Sequence, residues 1–202
     1  MPQLDIERIA LGALEVADTK GAAGFTIRAV AEELGVSPMA IYHYVHDKAE
    51  LVALLIDRMA LQAAEVPHGG TWRDNLLSVA NFMRRSAMDH PALFELQQAY
   101  RVWTPSIYKV VELWMGLWRK SGLPPEKALL AANVSGMAIG GLLWQESQSA
   151  GDDPSLEQFN AFQDASKLLN LGLQSGEMFN IGVRAIIEGL YVQLSAVPEK
   201  SP

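Results

Sequence analysis

The chain has 202 residues, of which 50% are hydrophobic and 19% charged, so it can bury a core of ordinary size. It contains no cysteine, which excludes disulfides, thiolate zinc sites and cysteine nucleophiles. The formal net charge of −7 argues against non-specific polyanion binding by the molecule as a whole, but it leaves room for a local basic site.

Apolar residues recur three and four positions apart along the whole chain, and the two-residue alternation of strands is missing. This periodicity predicts an all-α fold. The first helix is predicted at 5–20, with Asp5 as its N-cap and the glycines of TKGAAG after it. A short second helix, IRAVAEEL, should end at Gly35, because glycine readily adopts the left-handed conformation that terminates helices.

The stretch GVSPMAIYHYVHDKAEL crowds two tyrosines and two histidines between a proline and a lysine. Ser37 is a suitable N-cap for a brief third helix, and Pro38 at its first position loses no hydrogen bond. Asp47 is a suitable N-cap for a fourth helix that runs towards residue 65. Glu50 follows three residues later, as in a capping box.

Beyond the loop VPHGGT the same periodicity predicts further helices. Their spans are 72–89, 91–101, 105–121, 125–149, 154–172 and 175–196. An uncharged run at 128–145 only just reaches membrane-spanning length and contains polar and glycine residues, so a helix buried by protein is the better interpretation. No membrane partner is therefore expected. The N-terminus shows no secretory signal, which favours a cytoplasmic location.

Two short helices joined by LGVS have the form of a helix-turn-helix, a motif that places its second helix in the major groove of DNA. Four apolar residues hold the two helices together: Ala31, Leu34, Val36 and Ile41. The second helix is then free to present its other side outward, namely Met39, Ala40, His43 and Tyr44.

The segment FTIRAVAEELGVSPMAIYHYVHDKAELVALLID resembles the DNA-binding region of the tetracycline-repressor (TetR) family of bacterial transcription regulators. The positions that agree are Phe25-Thr26, Ala31, Leu34-Gly35-Val36-Ser37, Ile41-Tyr42, Val45, Lys48 and Leu51. The resemblance implies an N-terminal three-helix DNA-binding domain with a helix-turn-helix and its connecting helix at 1–65. It also implies a larger C-terminal helical domain at 66–202 for effector binding and dimerisation.

The resemblance further implies residue roles in binding double-stranded operator DNA. The implied contacts are Thr26, Arg28, Ser37, Pro38, Met39, Ala40, Tyr42, His43, Tyr44 and Lys48. Thr26 would also cap its helix, the Tyr42 hydroxyl would bond a phosphate, and Lys48 would neutralise one. Because Met39 and Ala40 are apolar, we expect them to contact thymine methyl groups more than to form bidentate hydrogen bonds.

The charge of this region limits how it could hold DNA. The first 62 residues carry five basic and nine acidic side chains, a net charge of −4. The arm MPQLDIE carries no lysine or arginine, whereas many TetR relatives have a basic arm. Affinity for generic DNA should therefore be weak, and specificity should come from shape and directed contacts doubled by a two-fold dimer.

Aromatic and methionine residues are abundant from residue 72 onward. Most should form the core, as such residues commonly do, but a pocket between helices for an apolar or aromatic ligand is the functional alternative. The pocket candidates are Phe82, Met83, Tyr100, Trp103, Tyr108, Trp114, Trp118, Met137 and Trp144. The helices at 125–149 and 175–196 are the dimer candidates, since their small residues permit close helix approach.

Alternatives to these assignments remain open at the level of sequence. His43 and His46 could share a helix face and bind a metal, although no third ligand is evident. Tyr42 could be only a packed aromatic. No enzyme motif appears, and no cofactor is expected. The favoured function is a ligand-responsive transcriptional regulator, most simply a repressor. The alternative is a helical ligand-binding or enzymatic protein with a vestigial helix-turn-helix.

Overall fold

The computed structural model describes residues 4–66, 69–149 and 175–196. Within these ranges every regular element is an α-helix, so the predicted all-α fold is confirmed. The helices are α1 (Ile6–Gly24), α2 (Ile27–Leu34), α3 (Pro38–Tyr42), α4 (Lys48–Ala64), α5 (Trp72–Asp89), α6 (Pro91–Tyr100), α7 (Pro105–Arg119), α8 (Pro125–Ser149) and α9 (Ser175–Ala196). The helix predicted at 154–172 lies outside the described residues.

Local capping explains where the first two helices begin and end. The Asp5 carboxylate accepts from the Arg8 N–H at 2.8 Å, as predicted for an N-cap. Gly21 interrupts α1 with a φ of 69°, one residue after the predicted end of regular helix. Thr26 begins α2 by accepting from the Ala29 N–H at 3.0 Å.

The caps of α3 and α4 also follow the sequence, with one difference. Ser37 accepts from the Ala40 N–H at 3.2 Å, and Asp47 accepts from the Glu50 N–H at 2.8 Å. In a capping box the Glu50 carboxylate would return to the N–H of the cap itself. It accepts instead from the N–H of His46 at 2.6 Å, so the box is shifted by one residue.

Packing divides the chain into two compact units. The first comprises Met1–Pro67 and Phe82–Leu113, and the second comprises His68–Asn81 and Trp114–Pro202. In the first unit α1 packs against α2, α4 and α6, and α3 packs against α2. Its fully buried side chains include Ile9, Val16, Phe25, Val30, Ile41, Leu51 and Leu55. These residues supply the apolar burial that stabilises the helix-turn-helix.

The second unit is organised around a buried serine. Ser135 on α8 has no exposed surface, and its hydroxyl oxygen accepts the indole N–H of Trp114 at 3.1 Å and of Trp118 at 2.9 Å. The hydroxyl donates to the Ala131 carbonyl at 2.6 Å. Two large aromatic rings can therefore be buried without leaving a polar atom unpaired.

Helix α8 packs against α9 in the same unit, yet much of its apolar surface remains exposed. By length and composition alone its segment Pro125–Ser147 could cross a membrane, and 33% of the most apolar window is buried within the protein. Leu129, Leu130 and Met137 are each more than half exposed. Three large apolar side chains of α8 are therefore open to solvent in the single chain.

A carboxylate on α4 caps the first turn of α7 within the first unit. Asp57 accepts from the Ser106 N–H at 3.0 Å. Partial burial raises the pKa of Asp57, but hydrogen bonds from Thr104 and Ser106 and the charge of Lys109 outweigh it. The net result is a pKa below the usual range, because the ionised form is the better acceptor for these donors.

Replacing Asp57 by alanine should lower the free energy of unfolding by about 1 kcal/mol at neutral pH, the usual value of a helix cap. The folded pKa lies below the unfolded one, so this contribution is fully present above the unfolded pKa and is lost as pH falls through the folded pKa. Urea titrations at several pH values would measure the difference between wild type and Asp57→Ala. A difference that stayed constant into acid would contradict the assignment.

Candidate nucleic-acid interface

The turn between α2 and α3 is built on one left-handed residue. Gly35 has φ 66° and ψ 35°, a conformation that side-chain-bearing residues adopt only with strain. Its N–H donates to the Glu32 carbonyl at 3.1 Å, and the Val36 N–H donates to the Ala31 carbonyl at 2.9 Å. These bonds pair carbonyl groups in the last turn of α2 where the chain reverses. They also set the direction in which α3 leaves the turn.

Helix α1 supports this turn through contacts that the sequence did not reveal. The Arg8 guanidinium donates to the Leu34 carbonyl, the last of α2, at 3.2 Å. Gly12 lies directly against the Leu34 side chain, and a Cβ added there would approach its Cδ2 to 2.6 Å. Only a glycine allows α1 to approach this closely without displacing Leu34. Nothing in the local pattern distinguishes Gly12 from an ordinary helix residue.

The α3 region divides into a buried side and an exposed side. Ile41 is buried in the first core, as expected, and Val45 is buried there as well. Met39 is 66% exposed, Tyr42 45% and Tyr44 40%. Ser37, Pro38 and His43 are also exposed, and Ala40 is half-buried. The structure thus gathers the predicted groove residues on one short, solvent-facing segment.

The two tyrosines of this segment differ in their contacts. The Tyr44 hydroxyl donates to the Leu4 carbonyl at 2.5 Å, across 40 residues of sequence. It therefore ties the chain before α1 to the end of the α3 segment, a contact that the sequence interpretation did not include. Tyr42 and His43 have no such partner among the described residues, so their polar atoms remain available to a ligand.

Most cations of the first 62 residues are engaged by the protein itself. The engaged pairs are Arg8 with the Leu34 carbonyl, Lys20 with Glu32 at 3.8 Å, and Arg58 with Glu7. In each pair, one of the two partners is a residue of α1. The carboxylates of Glu32 and Glu7 offset the charges of Lys20 and Arg58, whereas the carbonyl that Arg8 binds carries no net charge.

Two cations remain near the exposed face. Arg28 is exposed and has no ion pair or hydrogen bond within the part of the chain that the structure describes. Thr26, two residues before it, accepts the Ala29 N–H through its hydroxyl oxygen, which leaves the hydroxyl proton free to donate. Lys48 is half-buried, and its ammonium lies over the ring of Phe25 at 5.6 Å.

The metal alternative gains no support from the geometry. Within residues 4–66, 69–149 and 175–196, no group of three or more histidine, cysteine, aspartate or glutamate side chains could hold a metal ion. His43 and His46 are both exposed, as surface residues of the α3 segment and the loop after it. Two exposed histidines alone form a weak metal site.

The nine predicted pocket residues fall into different environments. Trp114 and Trp118 are 8% and 0% exposed, and both indoles bond Ser135 in the core of the second unit. The exposed candidates are Tyr100, Trp103, Tyr108, Met137 and Trp144, while Phe82 and Met83 are half-buried. Trp103 and Tyr108 lie against each other with ring centroids 5.7 Å apart. Burial thus separates core tryptophans from aromatics that a ligand could touch.

Comparison with known proteins adds two family matches. Residues 9–55 match the family described as bacterial regulatory proteins, tetR family, and residues 66–194 match the tetracyclin repressor-like C-terminal domain. The repressor DrrR1 of Streptomyces coeruleorubidus is 32% identical over 143 residues, which cover 69% of this chain and 53% of DrrR1. The regulator Rv1816 of Mycobacterium tuberculosis is 32% identical over 101 residues, 46% of this chain and 43% of that protein.

The chain therefore spans about half the length of these two curated relatives. The fold is also that of ActR from Streptomyces coelicolor, a TetR family protein solved in complex with (S)-DNPA. That likeness has a TM-score of 0.74 at 22% identity and covers 96% of this chain and 100% of ActR. At this identity it establishes the fold.

The Tyr44 contact can be tested by its effect on stability. Tyr44→Phe should lower the free energy of unfolding by about 0.5–1.5 kcal/mol, because it leaves the Leu4 carbonyl without its donor. Tyr42→Phe is the matched control and should be neutral, since the Tyr42 hydroxyl has no partner in the described structure. Equal effects of the two substitutions in urea unfolding would show that the Tyr44 contact does not form.

Proposed function

The chain belongs to the tetR family of bacterial regulatory proteins, and from this membership we propose that it is a homodimeric repressor released from its operator by a small apolar or aromatic effector. The observation that carries the proposal is the α2–Gly35–α3 unit. It buries Ile41 and Val45 and turns the opposite side of α3 to solvent. A helix held in this way fits the major groove.

The division of labour follows the two family matches. Residues 1–65 bind the operator, and residues 66–202 bind the effector and form the dimer. The matched ranges, 9–55 and 66–194, support this boundary. The protein acts in the cytoplasm, without a cofactor, catalytic activity or a membrane partner.

On DNA, the start of α3 lies at the base edges. Met39 and Ala40 offer only apolar atoms, so they contact thymine methyl groups and favour A·T pairs at those positions. The free hydroxyls of Tyr42 and Thr26 donate to phosphates on either side of the groove. His43 contacts a base or the backbone, since its ring nitrogens have no hydrogen-bond partner among the described residues. Tyr44 supports this surface through Leu4.

The dimer forms through the exposed apolar surface of α8 and α9. The residues on it that are more than half exposed are Leu129, Leu130, Met137, Met178, Ile181 and Val192. A Cβ added at Gly182 of α9 would lie 3.3 Å from the Leu142 side chain of α8, so the two helices already pack closely. Two copies of this pair make a four-helix interface. A rigid interface is required because two reading heads must meet grooves about 34 Å apart.

Effector release is a shift between two dimer conformations. The effector binds best to the conformation whose heads no longer match successive grooves of the DNA. The effector and the operator therefore weaken each other's binding by the same factor. ActR, which has this fold, has been solved in complex with (S)-DNPA, and this supports a ligand-binding role for the same fold here. Here the exposed Trp103 and Tyr108 are candidate contacts for a planar or apolar effector, with Phe82 and Met83.

A second function is favoured by one specific observation, the charge of the head. With a net charge of −4 and three of five cations engaged internally, the head is a poor polyanion binder. The chain would then be a helical ligand-binding or enzymatic protein with a vestigial helix-turn-helix. This alternative predicts small-molecule binding or turnover without retention of any DNA sequence.

Selection of bound duplexes from a random library separates the two functions. The repressor proposal predicts a motif with two-fold symmetry whose half-site centres lie about one helical turn apart. The upstream DNA of the gene itself, used as a probe in gel shifts, provides the independent check. Failure to enrich any motif at low salt would overturn the repressor proposal and favour the alternative.

Substitution of single cations tests which charges meet DNA. Arg28→Ala should weaken operator binding about tenfold or more at low salt, because it removes from both heads a cation that has no partner among the described residues. Lys20→Ala is the matched control and should change affinity by less than about twofold, since Lys20 already pairs with Glu32. Fluorescence anisotropy with a labelled operator measures both. Equal losses of operator affinity in the two variants would show that pairing within the protein does not determine which cations bind DNA.

A further inference from the structure

The Lys48 ammonium lies between two aromatic rings that come from distant parts of the chain. It is 5.6 Å from the ring centroid of Phe25, which is fully buried before α2. It is also 5.8 Å from the ring centroid of Tyr100, the last residue of α6. Both distances fall within the range in which a cation is attracted to a ring face. Two ring contacts therefore distinguish Lys48 from a lysine that extends into solvent without a neighbour.

The position of Tyr100 is set by the corner between α6 and α7. Arg101 ends α6 in the left-handed conformation, with φ 49° and ψ 44°. Five residues later, the Ser106 N–H donates to the Asp57 carboxylate on α4. The corner is thus attached to α4 at two places, Lys48 and Asp57, which are about 13 Å apart along the helix axis at 1.5 Å per residue.

Two attachment points fix the ring more firmly than one contact could. The Asp57 bond restrains the corner even when the Lys48 side chain moves away. Tyr100 is 39% exposed, so its ring reaches the surface beside the first turn of α4 and is not a core residue. Lys48 is itself only partly buried, so a ligand can reach its ammonium while the ring stays 5.8 Å away.

This arrangement reduces the entropic cost of using Lys48. A lysine side chain has four rotatable bonds, and immobilising it on a phosphate ordinarily costs much of the energy gained. Ring faces restrict the ammonium without taking its hydrogen-bond donors, because the attraction to a ring quadrupole is electrostatic. The three N–H groups therefore remain available to phosphate oxygens.

We propose that Tyr100 is a positioning residue for DNA binding, whose ring holds the Lys48 ammonium ready to neutralise an operator phosphate. The proposal rests on the proposed operator binding. It assigns Tyr100 a role in DNA binding and no longer one in the candidate effector pocket, although Tyr100 lies outside the helix-turn-helix. Its chemistry predicts that the ring matters and the hydroxyl does not.

A double-mutant cycle between Tyr100 and Lys48 tests the proposal. Operator affinity is measured over a range of salt concentrations for wild type, Tyr100→Leu, Tyr100→Phe, Lys48→Ala and the Lys48→Ala/Tyr100→Leu double variant. Tyr100→Leu should weaken binding about two- to fivefold, the size of an exposed cation–π contact, and Tyr100→Phe should keep wild-type affinity. In the Lys48→Ala background, Tyr100→Leu should have no further effect.

The salt dependence distinguishes positioning from a structural role. If Tyr100→Leu frees Lys48 from its phosphate, the slope of log affinity against log salt should become shallower, by at most about 1 per head. Leu61→Ala is the control, because Leu61 is a 41% exposed apolar residue of α4 that belongs to neither proposed binding site, and it should leave both affinity and slope unchanged.

Each other outcome overturns a defined statement. If Tyr100→Leu weakens binding equally with and without Lys48, or lowers affinity at an unchanged slope, Tyr100 has only a structural role. If it leaves affinity unchanged, the ring does not position Lys48. A loss in Tyr100→Phe equal to that in Tyr100→Leu would assign the effect to the hydroxyl and reject the cation–π argument. If the wild-type protein showed no binding to any operator, the proposed function itself would be overturned.

Discussion

The burial of Ile41 and Val45 in the core of the first unit determines what α3 can present to solvent. With these two side chains inside, Met39, Tyr42 and His43 lie away from the core and face solvent. The left-handed Gly35 brings α3 to that position. Helix α1 holds it there through Arg8 and the close approach of Gly12. The reading surface is therefore a consequence of core packing.

The head uses its few cations in two different ways. Arg8, Lys20 and Arg58 connect α1 to its neighbours, where they support the fold. Arg28 and Lys48 lie at the exposed face, one without a described partner and one held over aromatic rings. An acidic head with two directed cations can bind DNA specifically only if shape, hydroxyl donors and dimer symmetry supply the rest.

Features encoded within a few residues were predictable from the sequence, and contacts between distant residues were not. Asp5, Ser37 and Asp47 cap helices as predicted, because a cap needs only a side chain and an N–H three residues away. The bonds Tyr44–Leu4 and Asp57–Ser106 span 40 and 49 residues and depend on the folded packing. The aromatic residues show the same limit. Composition treats Trp118 and Trp103 alike, but the first is fully buried against Ser135 and the second is 64% exposed.

As the proposed repressor, this head holds its operator with few phosphate contacts and relies on its dimer for specificity. The number of phosphate contacts can be measured from the salt dependence of wild-type operator affinity. With two phosphate-contacting cations per head, the slope of log affinity against log salt should be about −4 or shallower for the dimer. A slope of about −8 or steeper would require many more phosphate contacts than Arg28 and Lys48 can make, and it would contradict the account.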